Sequence, residues 1–207
     1  MADWFRRKTW TENDEKEFLA KLGRARKGKS EQYLKIQAME LVETKDKKLL
    51  LVAESLLNKL LVEYPDDKFN RSSALQTLGH IYKLFDDFEK AIDYYKQSIE
   101  FETNYPNIRT NSYLDFSELI IKTKKNKQYD YVESILLKEL PEQIFPILKY
   151  KTYSILSIIS IYKNNEEQAR YFADLANKYA NEKTSGLRYH KYLGVVKERG
   201  NWLDKLG

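Results

Sequence analysis

The chain has 207 residues, 42% of them hydrophobic and 32% charged, with a formal net charge of +5. That length suits one ordinary domain or one short helical stack, and the apolar share is ample for a core. Cysteine is absent, which excludes disulfides, thiol nucleophiles and Cys-ligated metals and leads us to expect a reducing, cytoplasmic setting. The opening MADWFRRKTW has no apolar h-region, so no secretion signal is expected. Apolar runs such as 49–53 are far too short to span a bilayer.

Trp4, Phe5 and Trp10 surround Arg6, Arg7 and Lys8. Tryptophans rarely float free in water, so this arm is expected to dock on the first helices and cover their open face. Residues 1–29 hold nine Lys/Arg against five Asp/Glu, so most of the net charge lies there. The competing reading is an aromatic–basic patch of Trp4, Arg6, Arg7, Trp10, Arg24 and Arg26 that meets nucleic acid or another anionic surface. A helix is predicted over 11–27. Thr11 caps it, Asp14 completes a capping box, Phe18, Leu22 and Ala25 form its apolar face, and Gly28 ends it.

Ser30 is read as the cap of a helix over 30–43 with Leu34, Ala38, Leu41 and Val42 inward. After a polar turn, 49–63 carries an apolar stripe wide enough for burial on two sides, with Ala53 as its small residue. The stretch 72–106 is the clearest. Leu75, Leu78, Gly79 and Tyr82 fall on one helical face, and Ala91, Tyr95 and Ser98 on another. Further on, Tyr113, Phe116, Ser117 and Ile120 repeat the pattern, with Val132 in a partner helix beginning near Gln128. Pro141 and Pro146 bracket a break. Tyr153, Leu156, Ser157 and Ser160 then face Ala169, Ala173 and Ala176 across an Asn164-Asn165 turn. A last unit is expected from Thr184, with Leu193-Gly194 and a packed His190, closed by a short helix of Trp202, Leu203 and Leu206.

The order bulky, Leu-Gly, Tyr, then Ala, aromatic and small in 72–106 resembles the tetratricopeptide repeat, a unit of about 34 residues. Leu75 stands where the family favours Trp, and Pro106 comes late. The small positions Ala53, Ala91, Val132 and Ala169 lie 38, 41 and 37 residues apart, so the units are longer than the family's ideal. The resemblance implies an all-α fold: a right-handed superhelical array of antiparallel helix pairs, about ten to eleven helices. Residues 1–29 would form a basic arm and capping helix, packed on a repeat domain over 30–207. It also implies a concave groove lined by first helices, and in the clear unit Ser73, Gln76, His80 and Lys83 would face it. Gln76 and His80 stand where chaperone-binding members carry Lys and Asn, so that carboxylate clamp is not matched.

Catalytic constellations are missing: only His80 and His190 are present, with no zinc-protease motif, Gly-rich phosphate loop or nucleophile elbow. The Asp86-Asp87 and Glu166-Glu167 pairs are placed in inter-helix turns, where acidic residues usually cap the following helix. The expectation is therefore a module without enzymatic activity, cofactor or metal. It would bind a protein or peptide, as a small adaptor or as an inhibitor or immunity-type binder of one partner.

Overall fold

The computed structural model describes residues 3–26 and 28–200. Among them there are nine α-helices, two short 3-10 turns and no strand. The chain divides into two compact units, 1–112 and 113–207. The first holds α1 (Glu12–Leu22), α2 (Ser30–Glu43), α3 (Lys47–Glu63), α4 (Lys68–Leu84) and α5 (Phe88–Asn104). The second holds α6 (Ser112–Lys122, its first residue counted with the other unit), α7 (Tyr129–Glu139), α8 (Pro146–Tyr162) and α9 (Glu166–Ala180).

Four turns share one construction. Lys45, Asp86, Lys124 and Asn164 have φ near +60°, the left-handed region that ends a helix. The N–H one residue later reaches back five residues in three of them: Asp87 to Tyr82 at 2.9 Å, Lys125 to Ile120 at 3.0 Å and Asn165 to Ser160 at 2.9 Å. That same residue then caps the next helix where its side chain is an acceptor. Asp46, Asp87 and Asn165 accept backbone N–H bonds at the starts of α3, α5 and α9. Lysine has no acceptor, and after Lys125 a 3-10 turn (Asn126–Gln128) intervenes before α7.

The turns lie 41, 38 and 40 residues apart and give each helix pair a common register. Seven positions before each turn residue stand Ala38, Gly79, Ser117 and Ser157, all small and all buried. Their size sets how closely two helices approach. Tyr95 of α5 abuts Gly79, so close that an added Cβ would stand 2.3 Å from its ring. The Ser157 hydroxyl donates to the Ala169 carbonyl of α9 at 2.9 Å. In this register the α3 counterpart of Ala91 is Leu50. Ala53 lies three residues further on, although both are fully buried.

The core of the first unit gathers Phe18, Leu34, Leu41, Leu50, Leu57, Leu60, Leu78 and Ile81. At its far end the packing turns polar. Ser72, Ser98 and Ser112 are buried and bonded in series at 2.9 and 2.7 Å. Glu102 accepts from Ser72 and from the backbone and hydroxyl of Thr110, which fixes the link out of α5. In the second unit Phe116, Leu119, Val132, Leu136, Ile155, Leu156 and Ile159 are buried, and Tyr153 stacks on Phe172 and Tyr179.

Four sequence expectations fail. The first helix stops at Leu22, not near residue 27, because Gly23 is a poor helix former and a run of cations follows. Ser30 is the first residue of α2, not its cap; its hydroxyl points back to the Leu22 carbonyl. Residues 181–200 form no helix. Gly194 has φ +71 with its α-carbon against Phe145, and its carbonyl accepts the Ile147 N–H at 2.8 Å. The glycine there serves a left-handed bend, not a helix contact. His190 is exposed, not packed. The expected helix at Trp202, Leu203 and Leu206 lies outside the described residues.

Candidate interaction site

The row Ser73, Gln76, His80 and Lys83 runs along α4, spaced by three and four residues, and all four are half-buried. The His80 ring meets Tyr95 edge-on at 5.7 Å. Helix α4 packs on α5 and also touches α2 and α3. The common register assigns Gln32, Lys35, Met39 and Val42 of α2 to the same row, and sequence reading missed them. The signal was present: Ala38 stands seven residues before Lys45, as Gly79 does before Asp86. Burial pushes the Lys35 ammonium below the usual lysine range, partly offset by Asp67. Beside it, a depression of about 680 Å³ is lined by Glu31, Glu63, Asp66 and Asp67, with Phe69 exposed.

The N-terminal residues are docked. Trp4 packs on Phe5, Phe18 and Tyr33, and Trp10 on Phe18, with ring centroids 5.0–5.5 Å apart. The arm is fastened by Gln37, a side chain with no exposure. Its amide donates to the Arg7 carbonyl at 2.7 Å and accepts the Arg7 N–H at 3.0 Å. Gln37 stands eight residues before its turn, where the other pairs carry Leu78, Phe116 and Leu156. The polar exception in the repeat is the arm's clamp.

Docking divides the predicted basic patch in two. Arg6 pairs with Glu40 at 2.8 Å and Lys8 with Glu43 at 3.0 Å. Arg7 bonds Asp14, Glu17 and the Trp4 carbonyl. Glu17 first, and Asp14 with it, hold the Arg7 guanidinium more firmly protonated than usual. Arg24 and Arg26 lie elsewhere, exposed in the irregular segment after α1, and make no ion pair among the described residues. With Lys21 and Lys29 they rim a shallow pocket of about 450 Å³ floored by Trp4 and Tyr33.

Asp87 caps α5, while Glu166 opens α9 and pairs with Arg170. No helix is long and apolar enough to cross a membrane, and no group of three or more His or acidic residues could hold a metal, among the described residues. Compared with protein-family models and with curated proteins, the chain matches none.

Proposed function

We propose that the chain is an array of tetratricopeptide-like helix pairs that binds a protein or peptide partner along the first helices of its pairs, as an adaptor or as an inhibitor of one partner. A right-handed superhelical stacking and a cytoplasmic setting belong to this proposal. Four helix–turn units with one register, each with a buried small residue at the same position, support the repeat reading. The observation that carries the binding reading is the row on α4: Ser73, Gln76, His80 and Lys83 are polar, half-exposed and aligned. A structural face of a buried helix has no need of four polar groups in line, whereas a peptide groove does. The nucleic-acid reading loses weight, because Arg6, Arg7 and Lys8 are matched by acids of their own chain.

The test is capture from the source cell's lysate in low and high salt, with Gln76→Ala/His80→Ala/Lys83→Glu beside the wild type. A single protein that survives high salt and is lost from the triple variant supports the reading. Undiminished capture by the variant sinks the α4 row. Nucleic acid that washes away with salt would transfer the function to the basic pocket.

A further inference from the structure

We infer that the pocket beneath Arg24 and Arg26 is a docking point for an acidic peptide segment of a partner protein, separate from the row on α4. Four cations, Lys21, Arg24, Arg26 and Lys29, surround it, all exposed, and no carboxylate lines it. The adjoining arm is built differently. There, three successive cations are each matched by an acid from α1 or α2. Like charges gathered around a concavity repel one another, and a negative partner relieves that cost.

The pocket is a by-product of the early end of α1. After α1 ends at Leu22, Arg24, Arg26 and Lys29 line one pocket with Lys21, Trp4 and Tyr33 instead of spiralling around a helix. Its floor is held in place: Trp4 is flanked by Phe5, Phe18 and Tyr33, and the arm that carries it is clamped by Gln37. A preformed site loses little freedom on binding.

Two features choose a peptide over nucleic acid. Lys21 Nζ already stands over the Trp4 ring, 6.0 Å from its centroid, where a base would have to stack. The neighbouring Arg6, Arg7 and Lys8 are neutralised, so among the described residues no basic track runs from the pocket along the arm to follow a phosphate backbone. What remains is one compact positive spot, with guanidinium groups suited to bidentate carboxylates.

The experiment measures fluorescence anisotropy of a labelled eight-residue Glu/Asp peptide and, separately, of a labelled oligothymidylate, with the full chain. The Arg24→Glu/Arg26→Glu variant is compared with Lys47→Glu/Lys48→Glu, which makes the same charge change on the exposed start of α3. Far-UV circular dichroism confirms folding, and Arg24→Gln/Arg26→Gln serves if the reversal perturbs it. Peptide affinity should fall at least about tenfold in the pocket variant and less than about twofold in the control. Equal loss in both variants, no peptide binding at low salt, or tighter binding of the oligonucleotide would each overturn the inference.

Discussion

Replacing Gln37 with leucine tests whether one buried amide holds the N-terminal arm. Leucine is the kind of residue the other helix pairs carry at this position (Leu78, Phe116, Leu156), so α2 should tolerate it. What disappears is the pair of bonds to Arg7, at 2.7 and 3.0 Å. Neutral hydrogen bonds contribute about 1 kcal/mol each, so the docked arm should lose about 2 kcal/mol. At 1.4 kcal/mol per tenfold, that raises the released fraction about 30-fold. Trypsin reads this directly, because Arg6, Arg7 and Lys8 are its sites and cleavage tracks the open population when opening is fast. Mass spectrometry should show cutting at these three sites accelerated about 30-fold, with Lys59 in α3 unaffected. The unfolding midpoint should move by no more than about 4–8 °C. Unchanged cleavage at 6–8 would refute the clamp. Accelerated cleavage at Lys59 would show that Gln37 supports the core itself.

Gly79→Ala should destabilise, although alanine is the better helix former by about 1 kcal/mol. Its Cβ would stand 2.3 and 2.5 Å from two carbons of the fully buried Tyr95 ring, and overpacking of this kind costs about 1–3 kcal/mol. In a double-mutant cycle by urea denaturation, Tyr95→Leu should absorb the alanine; strictly additive losses would contradict the contact. Acid should release the arm. Asp14 is held below the usual carboxylate range, chiefly by the Thr11 hydroxyl and N–H and then by Arg7; Glu17 is held down chiefly by Arg7 and then by Asn13. Both values are depressed on folding, so their contribution is full above the ordinary carboxylate range and is lost progressively below about pH 4, as pH falls through the lowered folded values. Tryptophan emission in a Trp202→Phe background should shift to the red there while far-UV ellipticity persists. An unshifted emission down to pH 3 would exclude the mechanism.

Helices are written locally, and most were legible. The capping box of Thr11 and Asp14, the Pro146 start of α8 and the apolar faces around Leu78 and Leu156 are each set by residues within a few positions. The register of the first pair was not legible from size alone. Helix α3 buries Leu50 and Ala53 alike, so its small residue marks nothing, and the positive-φ residue Lys45 is the true landmark. Such a turn is hard to see when lysine fills it, because lysine does not advertise the left-handed conformation as asparagine or aspartate does. Leu193-Gly194 misled for the opposite reason. It copies Leu78-Gly79 letter for letter, but one glycine is required for close helix approach and the other for φ +71. A sequence shows that glycine is needed without showing which property is used.

The candidate site follows from two departures from the repeat. Gln37 breaks the apolar series of Leu78, Phe116 and Leu156, and a polar side chain with no exposure must find partners; it finds the backbone of Arg7. That bond brings Trp4 onto Phe18 and Tyr33 and places Arg6, Arg7 and Lys8 beside acids. Gly23 breaks α1 one turn before the basic run is finished, and the cations beyond it fold over the same aromatic floor. Composition counted all these charges as one patch. Only the folded chain separates them, because pairing depends on which acids α1 and α2 present within 4 Å and not on proximity in sequence. The charges left over, not the charges present, define where an anionic partner would be held.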